Sequence, residues 1–498
     1  MTRSHRLSAP VAWTAAVAIL SVLYMGLVVP LGFGPDEPEH TYRAFQLALG
    51  QLFPQLVSCA GHAMRVACLG DSGHLAPRNR AGGPVPPALV AAFNQLYTIS
   101  HHGSVPVNFK ASDYSRLLGV TLGGGARKFA NFENTALYSP VNYLPEMLVF
   151  WIAQHTSESL LAALISARLV SGMVWAALVT AAVAITPRWK WLFAMVVLIP
   201  TALSQSAVIN ADAATLGVVA LGAAYTLRVL ERGRPPRRHQ LALFVLLGIA
   251  LGLMKLPLVA VIVAVAAMLW PVVGVGRARA LRVAVITLPG LAVAAWWNAA
   301  SDGYFVPYRN IVYGAADRVF ISQPQQEHHL LTHVYDLAPL LWTTALHGHL
   351  FMLWEVVGTL GEAGLPEWFA IVWIVLFVAL AVGSEAPAGG RATRAWIAGT
   401  LAVYFIGTAL ALYVSWSRVG ASQISGMHGR YFTLVLIFAV PMLAGLGGGR
   451  VQHRPRAIAA AAMVTSALAA GTMFIYTSYH YYGQGPWQVV PKLTSVLL

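Results

Sequence analysis

Stretches of about 17 to 25 apolar residues recur along the whole of this 498-residue chain, and each is long enough to cross roughly 30 Å of hydrocarbon at about 1.5 Å per residue. So many runs of that length cannot all be hidden in a soluble core. The composition agrees: 57% of the residues are hydrophobic and 10% charged, against about 25% charged in soluble domains, so the excess apolar surface has to face lipid. Strands of a membrane barrel are shorter and alternate in polarity. The chain therefore reads as an all-α polytopic membrane protein.

The basic residues set its orientation. A formal charge of +14 would suit a nucleic-acid partner if it lay along one face. Instead the cations form short clusters between apolar runs: Arg3 and Arg6, Arg188 and Lys190, Arg228 to Arg238, Arg277 to Arg282, Arg391 and Arg394, and Arg450 to Arg456. By the positive-inside rule these segments are cytoplasmic, and no nucleic-acid partner is implied. From a cytoplasmic N-terminus, eleven spans are expected near 11–31, 160–186, 191–209, 212–230, 241–256, 257–273, 283–300, 366–384, 395–416, 431–447 and 457–477, which leaves the C-terminus external. The first run has no small-residue cleavage site behind it and reads as an uncleaved span rather than a signal peptide. The parity requires that Tyr143 to Ala153, too short to cross, lie as a helix on the outer surface.

On this topology residues 1–498 form one integral membrane domain with two large external segments, 32–159 and 301–365. Loops of this length are usually functional or folded in their own right. Of the 18 Asp and Glu residues, all but Glu231 and Glu385 lie outside or near the outer ends of spans, so any acid chemistry is external. The two cysteines, Cys59 and Cys68, share the first external segment, where an oxidising compartment permits a disulfide between them.

The sharpest local feature is Pro35-Asp36-Glu37-Pro38-Glu39-His40-Thr41-Tyr42-Arg43, directly where the first span leaves the membrane. A bland account exists: Asp36 as a helix N-cap with Glu39 three residues on, and Glu39 paired with Arg43. The functional account places Asp36 and Glu37 at the lipid–water boundary, where a base reaches both a water-borne hydroxyl and a lipid-borne electrophile. A second feature, Tyr138-Ser139-Pro140-Val141-Asn142-Tyr143, opens the surface helix, and Arg168 follows near the outer end of the next span. A guanidinium inside the bilayer is costly unless it meets an anion or a polar cavity. Asp212 and Lys255 sit at two further outer turns, and Arg430 opens the tenth span. Arg43, Arg168, Lys255 and Arg430 thus put four cations where an anionic lipid head group would lie. No HExxH, Walker loop, CxxC or GxSxG is present, so a metalloprotease, a nucleotide-driven pump and a serine hydrolase lack support. The adjacent pairs His101-His102 and His328-His329 point apart on any regular element and read as solvated loop.

Five motifs in order, PDEPEH, YSPVNYLP, IPTALSQSAVINADA, MKLP and GRYF, resemble the bacterial predicted membrane proteins of domain-of-unknown-function family 2142 over nearly the whole chain. That family looks like a branch of the GT-C glycosyltransferases, which take a sugar from a polyprenyl phosphate or pyrophosphate carrier on the outer face. The resemblance implies a GT-C-like fold in a bacterial inner membrane, with an active site in the first external loop and an Asp-Glu after the first span acting at the acceptor, here Asp36 and Glu37. The long first loop with its surface helix is also similar to the aminoarabinose transferases, which carry a lysine before the prolines where this chain has Ser139, so its phosphate contact is a different one.

The expected function is inverting transfer of a sugar from a polyprenyl-phosphate-type donor to an envelope glycan, lipid or protein. Asp36 acts as base, and Glu37 positions the acceptor or holds a metal. His40, Arg43, Tyr138, Asn142, Tyr143, Arg168, Asp212, Lys255 and Arg430 are the candidate substrate contacts, with Lys255 and Arg430 foremost because each lies in a motif that matches the family. No cofactor is demanded; a divalent metal is compatible with the acids but not required by them. The alternatives are a transporter or flippase for lipid-linked sugars, which would call for charges deep within several spans, and a non-catalytic scaffold for envelope-polymer assembly.

Overall fold

In the computed structural model, residues 8–58, 79–100, 109–122, 125–307, 321–346, 349–360, 363–448 and 455–497 are described; Cys59, Cys68 and their expected disulfide lie outside the described residues. Helix α1 (Ala9–Val28) is followed by α2 (Glu37–Ala48), strands β1 (Gln55–Ser58) and β2 (Asn79–Val85), α3 (Pro87–Ser100), β3 (Lys128–Asn131) and α4 (Leu144–Thr156). Then come α5 (Leu160–Ile185), α6 (Lys190–Val197), α7 (Pro200–Gln205), α8 (Asp212–Arg232), α9 (Arg238–Met254), α10 (Val259–Leu269) and α11 (Gly276–Ser301). The remaining long helices are Glu367–Val382, Gly390–Trp416 and Pro455–Tyr482, and a final helix covers Pro486–Leu497.

Among the described residues six helices are long and apolar enough to cross a membrane, and three shorter apolar helices, Arg238–Met254, Leu256–Leu269 and Glu367–Val382, lie among them. The runs expected at 191–209 and 431–447 are not continuous helices. The first divides at Ile199, which precedes Pro200 and is extended (φ −68°, ψ 150°), because the proline ring disfavours the helical conformation of the residue before it. The second is a string of short turns around Pro441, Arg430–Thr433, Leu436–Phe438 and Ala439–Leu443. Close helix packing relies on small residues: a Cβ on Gly252 of α9 would stand 2.3 Å from the carbonyl oxygen of Gly290 in α11, so the two backbones touch as small residues allow in membranes.

The segment 32–159, expected to be external, departs from an all-α fold. Strands β1, β2 and β3 form an antiparallel sheet, with Leu56 opposite Ala81 and Gly82 opposite Asn131. The sequence Asn79-Arg-Ala-Gly-Gly-Pro-Val85 lacks the alternation that marks a strand, yet the missing side chain at Gly82 lets β2 lie against the Ala130 carbonyl. Arg80 of β2 is buried and ion-paired at 2.5 Å with Glu133, just beyond β3. Helix α4 buries Glu146, Phe150 and Ala153 and exposes Leu144, Leu148, Trp151 and Ile152, a helical stripe at i, i+4, i+7 and i+8 that suits the short surface helix expected there. Among the described residues of segment 301–365, three helices, Gln323–Thr332, Leu337–Leu346 and His349–Gly358, lead to a two-stranded hairpin, Thr359–Leu360 with Ala363–Gly364.

The two ends of the helices carry different charges. Glu231 and Glu385, the two acids set apart in the sequence, meet at one cation: Arg188 pairs with Glu231 and stands 3.3 Å from Glu385. Asp212 begins α8 and Glu231 lies in its last turn, which puts the two acids about 30 Å apart along one helix.

Candidate functional site

Where α1 ends, the chain turns sharply and Asp36 takes a left-handed conformation (φ 53°), which Asp and Asn tolerate better than other non-glycine residues. No side-chain capping hydrogen bond forms at Asp36, so the helix-cap account of this residue fails on geometry. Glu37 points the other way. Its carboxylate is 1% exposed and accepts five hydrogen bonds: from Arg168 Nε and Nη2, both at 2.6 Å, and from the backbone amides of Gly32, Gly34 and Ile209. Arg168 completes the knot by donating to the carbonyls of Gly26, Val29 and Pro30. A bidentate guanidinium–carboxylate pair with its remaining groups satisfied stays charged in a buried site. Here it rivets the end of α1 to α5 and to the turn before α8.

With its neighbour locked, Asp36 faces a polar cavity of about 360 Å³ lined by Asp36, His40, Asn134, Tyr138, Gln205, Asp212, Lys255, His428 and Arg430, among others. The Asp36 side chain is 45% exposed, lies 3.6 Å from the Arg430 guanidinium and accepts a 3.0 Å hydrogen bond from Asn134 Nδ2. Lys255 follows α9 in an extended conformation and forms an ion pair with Asp212. Its ammonium also sits 5.7 Å from the ring centres of both Tyr138 and Tyr431, within cation–π range. Asn210 accepts from the backbone amides of Asp212 and Ala213 and so caps α8. On the far wall, Glu355 accepts from the Gly429 amide at 2.5 Å and meets His428 Nδ1 at 3.1 Å, which fixes the loop that presents Arg430.

Several expected substrate contacts turn out to support the wall instead. Arg43 is fully buried; it donates to Gln46 and to the carbonyls of Leu52 and Tyr138, holding Tyr138 in place. Asn142 reaches the carbonyls of Ser139 and Met254, tying the turn before α4 to the residue before Lys255. Tyr143 is buried and its hydroxyl meets His40 Nδ1 at 2.6 Å. None of these three lines the polar cavity, and neither do Glu37 and Arg168. Burial takes each from direct contact with the cavity, and the polar atoms they present are engaged by the protein except Asn142 Oδ1. Burial also holds the His40 imidazole down to about 4, in spite of the nearby Asp36 and Asp212 carboxylates, so it is neutral at neutral pH. Burial pushes the Tyr138 phenol up; it too is neutral.

A second cavity of about 640 Å³ shares Asn134, Tyr138, Lys255, Ser415 and Trp416 with the first. Toward the helices it is walled by apolar residues, among them Leu253, Leu256, Pro257, Ala294, Leu410 and Val414. A charged recess therefore adjoins a larger one between α9, α11 and the helix Gly390–Trp416, apolar toward the helices and with Glu133, Asp302 and Glu327 also in its lining. Among the described residues no group of three or more His, Cys, Asp or Glu side chains is placed to hold a metal ion.

The sequence reading missed Asn134, Gln205 and Glu355. Gln205 carried a signal, being flanked by Ser204 and Ser206 inside an otherwise apolar run; Asn134 and Glu355 carried none. In comparison with known proteins, the family model described as a predicted membrane protein, DUF2142, matches residues 19–439. No curated protein and no solved structure matches the chain.

Proposed function

This chain belongs to the DUF2142 family of predicted membrane proteins, and on that premise we propose that it is a membrane glycosyltransferase of GT-C type, moving a sugar from a polyprenyl-phosphate-type lipid to an envelope acceptor. The observation that carries the reading is the convergence of Asp36, Lys255 and Arg430, from three distant parts of the chain, on one polar cavity that adjoins a larger one with an apolar helix-facing wall. A lipid-linked sugar has the same division, a charged head joined to a hydrocarbon tail.

We place the cavity on the outer face of a bacterial inner membrane. The Arg-rich turns at the opposite end of the helices are cytoplasmic by the positive-inside rule. In the proposed topology the broken helices α6–α7 and 430–443 cross along with the six long and three shorter apolar helices, which makes eleven crossings with the C-terminus external. Irregular backbone at membrane depth is tolerated where protein surrounds it, and α6 and α7 are almost wholly buried.

In the proposed reaction, Asp36 accepts the proton of an acceptor hydroxyl as the hydroxyl oxygen attacks the anomeric carbon. The bond from that carbon to the phosphate oxygen breaks, the electron pair leaves with the phosphate, and the configuration inverts. Lys255 and Arg430 stabilise the charge developing on the phosphate. Each of these cations leans on a carboxylate; an arriving phosphate competes for both, and Asp36 is released from Arg430 as the donor binds. Glu37, Arg168, Arg43, Asn142 and Tyr143 act as positioning residues. The reaction is tested by reconstituting the protein in liposomes with a lipid-phosphate-linked sugar and a soluble polyol acceptor. Equal amounts of bare lipid phosphate and glycosylated acceptor are expected. Passage of the intact donor across the bilayer without cleavage would replace this reading with that of a transporter.

A further inference from the structure

The charged groups of the polar cavity are committed to one another, Asp36 to Arg430 and Asp212 to Lys255, and the His428 ring meets Glu355 behind it. Gln205 is different. Its side chain is buried, with the residue 4% exposed, it lines the cavity, and neither its Oε1 nor its Nε2 has a hydrogen-bond partner. Asn134, which lines the same cavity, gives its Nδ2 to Asp36 while its Oδ1 has no partner. Native proteins satisfy nearly all buried polar atoms, so an orphaned amide marks a group that something else completes. The backbone around Gln205 is held, since its carbonyl accepts from Asn210. The terminal torsion of a glutamine is broad, so a small rotation brings the amide to bear on a ligand in the cavity.

We propose that Gln205 reads a neutral pair of adjacent hydroxyls on the transferred sugar. This inference rests on the glycosyltransferase reading and adds the substrate class to it. An amide offers an acceptor and a donor side by side, which matches one hydroxyl that donates and a neighbour that accepts. A phosphate has no proton for the amide oxygen. An ammonium has no lone pair for the amide N–H and a carboxylate has no proton for the amide oxygen, so neither an amino nor an acidic sugar fills both halves of the amide. The site therefore selects neutral sugars, and recognition of the ring is separate from recognition of the phosphate by Lys255 and Arg430.

The test is equilibrium binding of farnesyl phosphate, bare or carrying a neutral hexose or an amino sugar, to the full chain in lipid nanodiscs. The wild type is expected to bind the hexose lipid roughly tenfold or more tighter than the bare lipid, as two hydrogen bonds imply, and to show no such gain for the amino sugar. Gln205→Met keeps the volume and removes an amide that has no partner, so it should melt at or above the wild-type temperature. It should bring the hexose lipid to the affinity of the bare lipid, with the latter unchanged within about twofold. Lower thermal stability in Gln205→Met, equal loss of both ligands, or an amino-sugar preference in the wild type overturns the inference and leaves the proposed reaction standing. A wild type that binds no farnesyl phosphate of any kind overturns both.

Discussion

Asp36 and Glu37 are consecutive residues with the same functional group, yet they occupy opposite regimes. The Glu37 carboxylate is sealed and saturated by five donors, with Arg168 wrapped around it, whereas Asp36 is half exposed, with one amide and one loosely placed guanidinium beside it. The difference teaches how one of two adjacent acids is locked into the fold while the other is left facing a cavity. The inner pair fixes the backbone through charge-assisted bonds that need no substrate, and the left-handed turn at Asp36 swings the outer acid away from them into the cavity. Rigidity and reactivity are divided between neighbours.

The comparison breaks most visibly at the inner pair. Arg168→Met leaves the Glu37 carboxylate buried without its counter-ion, a change that typically costs about 3 to 5 kcal/mol. Little folded protein should be recovered in detergent. The double variant Glu37→Gln with Arg168→Met should restore part of the loss, because two matched neutral side chains avoid an uncompensated buried charge. Equal yields for the single and double variants, read by size-exclusion profile and melting temperature, would show that the pair is not the rivet described above.

At the outer pair the effect moves from folding to turnover. Arg430→Gln removes a donor aimed at the leaving phosphate and should lower turnover by about 10²- to 10³-fold. Stability should barely change, since the Asp36–Arg430 pair is partly solvated at 3.6 Å and open pairs contribute at most about 1 kcal/mol. Melting curves and initial rates on one preparation separate the two outcomes.

His40 sharpens the picture in a smaller way. Its folded-state value, held down to about 4 by burial, lies below the ordinary value of about 6.5. Between these limits the unfolded chain binds a proton that the folded chain refuses, so this contribution to stability is present above about pH 6.5 and is lost as the pH falls toward 4. The wild-type melting temperature should drop through that window more steeply than that of His40→Gln. Parallel curves would mean that the imidazole is protonated in the folded protein.

Much of this was legible in the sequence. The helical membrane fold follows from run length and composition, the surface helix α4 from a run too short to cross, and the cavity residues Asp36, His40, Tyr138, Asp212, Lys255 and Arg430 from polar motifs at successive outer turns. What could not be read depends on contacts between distant residues. Glu37 and Asp36 look interchangeable until Arg168, more than a hundred residues away, claims one of them. Arg43, Asn142 and Tyr143 carry the right chemistry but spend it on Tyr138, Met254 and His40. The sheet formed by β1 to β3 has no periodic signal because glycine and a buried Arg80–Glu133 pair, rather than alternating apolar residues, set its faces. Pro200 marked the break between α6 and α7, where hydropathy alone showed one continuous run.

The central claim is that Asp36 is a base and Glu37 a rivet, and Asp36→Asn tests it most directly. Asparagine tolerates the left-handed backbone at this position as aspartate does, and no side-chain cap is lost there, so the fold should be untouched, but an amide cannot accept the proton of an acceptor hydroxyl. Sugar transfer from a lipid-linked donor should fall by about 10² to 10⁴ in a protein that melts within a degree or two of the wild type. An Asp36→Asn protein that transfers sugar at the wild-type rate would contradict the account.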